Sequence, residues 1–156
     1  MTCGWRSLLA LAAGAATAPA ASAQQVRELG VQALVTTAEP TLVAAGLYGA
    51  LRPSQHTRVA LTLTGGDADG ALAGRAELAV HALASPARRH GAQVYAGAGI
   101  AGVAGPVDRG YIVVLAGIEG TPGGRSGWVV EVGVGGGLRV SAGWHWRRGR
   151  PRAPGT

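Results

Sequence analysis

The amino-acid sequence predicts an all-β fold, an eight-stranded antiparallel up-and-down transmembrane β-barrel, from three observations. First, apolar residues alternate with small, polar or charged residues along both arms of the stretch 127–147, GWVVEVGVGGGLRVSAGWHWR. Such alternation is typical of strands, because successive side chains point to opposite faces. Second, the glycines at 135–137 separate the two arms and suit a hairpin turn. Third, similar segments recur along the chain between turn-forming residues.

Six further predicted strands precede this closing hairpin, and its arms supply the seventh and eighth strands. The fourth segment is rich in alanine, which also suits a helix, but its charges at 75, 77 and 81 fit a period of two better. The fifth and sixth are apolar on both faces, so their inward faces stay undecided. Loops are expected between the segments, including a glycine- and aspartate-rich loop at 65–70. The six segments are 27–37, 41–52, 58–64, 71–83, 93–103 and 111–118.

The N-terminus has the features of an export signal. Arg6 precedes the apolar run 8–18, and Ala21-Ser22-Ala23 forms a cleavage site before Gln24. The apolar run is shorter than the roughly 20 residues that a membrane helix needs. We therefore predict a signal peptide at 1–23, a barrel domain at 24–148 and a disordered basic tail at 149–156. The barrel domain contains no cysteine, so disulfides do not stabilise it.

The basic charge of the chain does not by itself indicate nucleic acid binding. The net charge is +6, with a pI near 11.0, and all fourteen basic residues are arginine. Four of these arginines lie in the last ten residues, and the absence of Lys, Phe and Asn indicates a GC-rich coding bias. We expect no nucleic acid partner. The arginine-rich tail remains a candidate for contact with anionic polymer or lipid head groups.

An even number of strands of about ten residues after a signal peptide resembles the small eight-stranded outer-membrane barrels of Gram-negative bacteria. Trp128, Trp144 and Trp146 lie near strand ends, where interfacial aromatic residues are placed in membrane proteins. The alternating residues 138–146 look like the terminal signal that the outer-membrane assembly machinery reads in that family, although the basic tail continues past it. The resemblance implies an outer-membrane location, with outer-membrane lipid and the assembly machinery as partners.

Charges differ between the two sets of predicted connections. If the termini are periplasmic, as the resemblance implies, the outward connections are mainly acidic and the periplasmic turns are basic. Short outward connections leave little surface for adhesion. The outward connections carry Glu39, Asp67, Asp69, Asp108 and Arg109, and the opposite turns carry Arg52, His56, Arg88, Arg89, His90 and Arg125.

An eight-stranded barrel encloses a lumen that side chains fill, and the inward faces of this chain are charged. Glu131 and Arg139 lie on adjacent strands of one hairpin and form the best-supported predicted ion pair. Buried charges must be paired, because an unpaired one costs several kcal/mol. We therefore predict an ionic network that plugs the lumen. Its members are Arg58, Arg75, Glu77, His81, Glu131, Arg139 and His145, with Glu28 and Gln32 on the same inward face.

These features predict a structural or envelope-integrity role with a non-conducting lumen, without catalytic residues or cofactors. Two alternatives remain open. A lipid A-modifying outer-membrane enzyme would use His81 and His145 with Ser141 and Glu77. A soluble periplasmic barrel or sandwich that binds a ligand or partner would explain the fifth and sixth strands, whose apolar faces a protein core could cover on both sides.

Two other motifs predict no binding site. Residues 97–102 match G-x-G-x-x-G, but a dinucleotide site needs a helix that opens at the glycines, and Gly105-Pro106 follows almost at once. We interpret these glycines as room for bulky arginines in the lumen. The barrel domain has no cysteine, and its four histidines show no metal-ligand spacing, so we predict no metal site.

Overall fold

The computed structural model describes residues 26–84 and 91–148. Within these ranges eight antiparallel strands form a closed barrel, in which each strand pairs with the next and the last pairs with the first. The predicted fold class is confirmed. The described residues include no helix long and apolar enough to cross a membrane. The strands are β1 (Val26–Thr36), β2 (Leu42–Arg52), β3 (Thr57–Ala68), β4 (Ala71–Leu83), β5 (Ala92–Ala104), β6 (Arg109–Gly120), β7 (Ser126–Val134) and β8 (Leu138–Arg148).

The two ends of the barrel differ in which segments they contain. The terminal rim is the end where β1 begins and β8 ends, together with the turns at 53–56 and 121–125. The opposite rim carries the connections at 37–41, 69–70, 105–108 and 135–137. Gly136 and Gly137 adopt φ angles of 79° and 110°, so the closing hairpin turns at the predicted glycines. The predicted signal peptide and basic tail lie outside the described residues.

The outer surface of the barrel is an apolar band to which every strand contributes. Leu47 and Ile112, for example, are 67% and 79% exposed, because alternate side chains of each strand point away from the lumen. A soluble domain normally buries a patch of this size. Other members of the band are Leu29, Val31, Val43, Leu61, Leu63, Leu78, Val80, Val94, Ile100, Val114, Val130, Val132, Val134 and Val140.

The lumen is filled mainly by polar side chains, with small apolar groups between them. Near the opposite rim, buried side chains from β1 to β4, including Leu34 and Leu42, form an apolar cluster that covers the polar interior. Fully buried polar groups such as Arg58, Glu119 and Arg139 occupy the rest of the lumen. The closed sheet satisfies most of its own backbone hydrogen bonds, so the groups inside that need partners are mainly side chains.

Three expectations about individual strands need correction or completion. The loop expected at 65–70 is mostly strand, because β3 continues to Ala68 and only Asp69 and Gly70, both with positive φ, form the turn. The helical alternative for the fourth segment is wrong, because β4 pairs with both neighbours along its length. The sequence left the inward faces of β5 and β6 undecided. In β5 the face that carries Tyr95 points into the lumen, and in β6 the face that carries Glu119 does so.

Candidate functional site

The site is the interior of the barrel, where two ionic clusters are separated by a layer of neutral polar groups. The terminal cluster lies near the terminal rim and consists of Glu28, Arg52, Arg58, Glu119 and Arg147. The distal cluster lies toward the opposite rim and consists of Arg75, Glu77, Glu131 and Arg139. Together they draw on all strands of the barrel except β5, which contributes Tyr95 between them.

In the terminal cluster two carboxylates are shared by three guanidinium groups. Arg52 bridges them, with Nε 2.7 Å from Glu28 Oε1 and a terminal nitrogen 2.7 Å from Glu119 Oε1. Arg147 repeats this bridge at 3.0 Å and 3.4 Å. The cluster therefore joins β1, β2, β6 and β8 near the terminal rim through charge-assisted hydrogen bonds.

Arg58 is the fully buried arginine of the terminal cluster and forms its inner boundary. Its guanidinium donates to Glu119 Oε2, and its Nε donates to His81 Nδ1 at 3.0 Å. The same group lies 4.3 Å from the centre of the Tyr95 ring, within the range of a cation–π contact. Arg58 thus contacts an anion, a neutral acceptor and an aromatic face at once, which is the pairing that a buried guanidinium requires.

The distal cluster is centred on Glu131, which accepts hydrogen bonds from four side chains. Tyr95 Oη lies 2.7 Å from Oε1, and a terminal nitrogen of Arg139 lies 2.9 Å from Oε2. Gln32 Nε2 and Ser141 Oγ donate to the same Oε2 at 2.9 Å and 3.0 Å. A carboxylate with all its acceptor positions used is held rigidly in the lumen.

Arg139 links Glu131 to a second ion pair on β4. The Arg139 nitrogen that contacts Glu131 also lies 3.2 Å from Glu77 Oε1, and Arg75 contacts the other oxygen of Glu77 at 2.8 Å. Arg75 also donates to the carbonyl oxygen of Gly135 at 3.1 Å. These contacts cross the lumen from β4 to β7 and β8 near the opposite rim.

The neutral layer between the clusters is organised by Gln32. Its amide nitrogen donates to Ser141 Oγ at 2.7 Å as well as to Glu131, and its amide oxygen accepts from Thr62 at 3.2 Å. Tyr48 lies on the same level, with its ring centre 6.2 Å from that of His145. The layer therefore connects β1, β3 and β8 and fills the cross-section with side chains.

The seven side chains predicted for the ionic network all lie inside the barrel. Four of them form the distal cluster, Arg58 belongs to the terminal cluster, and the two histidines border that cluster, with His81 on Arg58 and His145 on Arg147. Glu131 and Arg139 are in contact, although the register places Glu131 opposite Ser141 and Arg139 opposite Gly133, so the pair is diagonal.

The sequence reasoning missed four groups that complete the network. Arg52 was expected in a turn and Glu119 in a connection. Each instead lies near the end of a strand, with its side chain directed into the lumen. Arg147 likewise continues the inward parity of β8. For Arg52 and Arg147 the available signal was that parity, which continues to the last residues of each strand. Glu119 and Tyr95 lie on strands that are apolar on both faces, so parity could not assign them.

The groups considered for lipid A chemistry do not form a catalytic constellation. Among the described residues, no hydrogen bond joins Ser141 to His81 or His145, because Ser141 contacts Gln32 and Glu131. His81 is held by Arg58, and Glu77 is paired with two arginines. Neither histidine is therefore placed to activate Ser141, whose hydroxyl is held by Glu131 and Gln32.

Glu28, Glu119 and His145 could together offer three metal ligands, since their ligand atoms lie within 4.8 Å of one another. This grouping could not be predicted from the sequence, because the three residues are far apart along the chain. Three arginines already neutralise the two carboxylates there. A divalent cation would add to a surplus of positive charge, so the chemistry of the cluster favours ion pairs over metal binding.

Glycines in the lumen make room for large rings. The G-x-G-x-x-G glycine Gly97 faces the His81 ring, not an arginine as expected, and Gly117 faces Tyr95.

We expect Gly117→Ala to destabilise the barrel by about 1–3 kcal/mol, because the new methyl group would lie 2.8 Å from Tyr95 Cε2. Urea unfolding of the barrel in lipid vesicles measures this loss. The matched control Gly102→Ala, whose methyl group would meet nothing within 4 Å, should change stability by less than about 0.5 kcal/mol. An equally small loss of stability in both variants would show that Tyr95 moves to make room for the methyl group.

The three tryptophans expected at a membrane interface lie on the outer surface near the terminal rim. Trp128, Trp144 and Trp146 are 41%, 44% and 52% exposed. Trp128 is opposite Trp144 in the register of β7 and β8, and Trp144 and Trp146 point to the same side of β8. The tryptophans thus form one patch, contiguous with the apolar band.

No family model matches the sequence, and no curated protein matches it. Several solved structures are similar in fold, and three of them illustrate the likeness. The N-terminal β-barrel domain of Pseudomonas aeruginosa OprF has a TM-score of 0.61 and 11% identity, over 78% of this chain and 97% of that one. Neisserial surface protein A has a TM-score of 0.52 and 10% identity, over 78% and 96%. The de novo designed TMB2.3 has a TM-score of 0.53 and 16% identity, over 80% and 94%. This chain therefore has the closed eight-stranded barrel fold found in those proteins, and the likeness is one of fold alone.

Proposed function

We propose that the chain is an outer-membrane β-barrel with a structural or envelope-integrity role and a lumen that conducts no ions. The observation that carries the proposal is the separation of the two surfaces of one sheet. The outer surface is an apolar band on every strand, and the inner surface holds the paired charges of both clusters. Lipid on the outside and ion pairs on the inside are the environments that these surfaces require.

The soluble periplasmic alternative is weaker on the same observation. A soluble barrel would leave side chains such as Leu47, Ile112 and Trp146 in water around the whole circumference. The doubly apolar strands β5 and β6, which favoured that alternative, have one face in the lumen and the other in the apolar band. The similarity in fold to OprF and Neisserial surface protein A supports an outer-membrane location.

The filled lumen supports a non-conducting role. Layers of side chains cross it at the terminal cluster, at Gln32 and at the distal cluster. We expect purified protein in a planar lipid bilayer to show no current steps above the lipid baseline.

Membrane fractionation with heat-dependent gel mobility tests the location, and sensitivity of a deletion strain to detergents tests the envelope role. A steady pore current would contradict the filled lumen, and recovery in the soluble periplasmic fraction would contradict the membrane location.

An arginine in the middle of the apolar band should be far more costly than one at its edge. Leu78 lies at mid-height of β4 between Leu61 and Ile100 on the neighbouring strands. In lipid we expect Leu78→Arg to reduce stability by roughly 2–3 kcal/mol, because a guanidinium at the bilayer midplane must be drawn toward water. Urea unfolding in vesicles measures the change.

The matched control is Leu72→Arg, on the same outward face of β4 but near the opposite rim. Its expected cost is below about 1 kcal/mol, because the new side chain reaches the interface. Both leucines are exposed, at 46% and 86%, so a barrel surrounded by water would tolerate both substitutions alike. Equal and small effects would therefore argue against the lipid-facing assignment.

A further inference from the structure

The outer surface of β7, β8 and β1 changes in character with distance from the terminal rim. The register pairs Arg27 with Arg148 at the rim, then Leu29 with Trp146, and then Val31 with Trp144. All these side chains have the outward parity of their strands, as the exposed positions of β1 and β8 show. Beyond the tryptophans the surface is aliphatic, with Ala33, Ala142, Val130, Val35, Val140 and Val132.

Arg27 and Arg148 are free to bind an anion at this place. Both are exposed, and among the described residues neither forms a salt bridge. The neighbouring acids Glu28 and Glu119 are buried in the lumen, where each forms salt bridges with arginines of the terminal cluster. Outward side chains opposite each other on paired strands lie close together, about 5 Å apart at Cβ. The two guanidinium groups can therefore approach one phosphate from two sides.

We propose that this surface, defined by Arg27, Arg148, Trp128, Trp144 and Trp146, is a binding site for an anionic phospholipid. The arginines contact the headgroup phosphate, for which guanidinium has the matching geometry. The tryptophans lie at the level of the glycerol backbone, where aromatic side chains are favoured, and the acyl chains follow the aliphatic surface. The site rests on the proposed membrane location, which it deepens by naming a lipid class and the strands that hold it.

The opposite rim has the reverse charge and cannot offer an equivalent site. Its exposed side chains include four acids and one arginine, and no tryptophan among the described residues lies there. An anionic headgroup would be repelled at that end. The barrel therefore carries its anionic-lipid site at one rim only. The charged residues of the opposite rim are Glu39, Asp67, Asp69, Asp108 and Arg109.

Tryptophan fluorescence reports this site directly, because three of the four tryptophans of the chain belong to it. Replacing the fourth, Trp5→Phe, in the full chain makes the signal specific. The protein is folded into phosphatidylcholine vesicles that contain a small fixed fraction of phosphatidylglycerol. Either lipid carries bromine on its acyl chains, which quenches nearby tryptophans. We expect brominated phosphatidylglycerol to quench more strongly than brominated phosphatidylcholine at equal mole fraction, and the difference to shrink as salt rises.

The double variant Arg27→Gln/Arg148→Gln should lose this preference, lowering the relative affinity for phosphatidylglycerol by roughly fivefold or more. The control Arg109→Gln removes a positive charge from the opposite rim, outside the site, and should keep the preference. Heat-dependent gel mobility selects folded preparations of each variant. Two results would overturn the lipid site: an equal response to both lipids in the parent protein, or the same loss in the double variant and in the control. Absence of quenching by either lipid would instead refute the membrane location on which the site rests.

Discussion

Replacing Glu131 by leucine is expected to destabilise the folded barrel by about 3–5 kcal/mol. The substitution removes the common acceptor of Tyr95, Arg139, Gln32 and Ser141, all within 3.0 Å of it. Arg139 would keep only Glu77, and the buried hydroxyl of Tyr95 would lose its acceptor. The cost is large because these groups are sealed from water, so none can recover a partner. Urea unfolding in vesicles, followed by tryptophan fluorescence, measures it.

The control for this loss is Glu39→Leu, which removes an equal charge from the exposed opposite rim. Its expected effect lies within about 0.5 kcal/mol, because surface substitutions away from a network change little. If both variants lose the same stability, the effect of Glu131 comes from the net charge of the chain and not from the distal cluster.

A double-mutant cycle isolates the ion pair from the rest of the cluster. We expect Glu131→Leu and Arg139→Met to couple by about 2–3 kcal/mol, because each single variant leaves the other charge buried with fewer partners. Glu28→Leu provides the reference with the same Arg139 variant. Arg139 is level with Thr36, eight residues from Glu28 along β1, or roughly 26 Å. That coupling should be below about 0.5 kcal/mol. No coupling between Glu131 and Arg139 would refute the pair.

The sequence could predict the barrel and much of its interior because alternation is a local property. Along most of β1, β3 and β4 apolar outward residues alternate with polar or small inward ones, so inward groups such as Arg58 and Glu77 follow from parity. Arg75 and Glu77 are two positions apart on one strand, so they share a face in any register. Their contact requires no knowledge of the tertiary structure.

The remaining features depend on how the strands close around the lumen. Arg58 reaches Glu119 across the barrel from β3 to β6, a contact set by curvature and strand tilt that no local pattern contains. The inward choice of Tyr95 depends on its neighbour Gly117, whose missing side chain leaves space for the ring. Arg52 lies where the alternation meets a turn, and Arg147 lies where it meets the C-terminal tail. At both positions the sequence signal for the end of a strand outweighed the strand parity.

The contribution of the terminal cluster to stability should depend on its net charge. The destabilisation caused by one substitution should then be partly relieved by a second that restores this charge. Two carboxylates and three guanidinium groups give a net charge of +1, which Glu119→Leu raises to +2 inside the barrel. We expect that variant to lose about 3–5 kcal/mol in urea unfolding. Adding Arg58→Met restores the balance and should recover about 1–2 kcal/mol of it, despite removing a further ion-pair partner. Adding Arg125→Met instead removes an exposed charge outside the cluster and should recover nothing. If Arg58→Met deepens the loss, packing and hydrogen bonds dominate this end of the lumen, and the balance of buried charge is secondary.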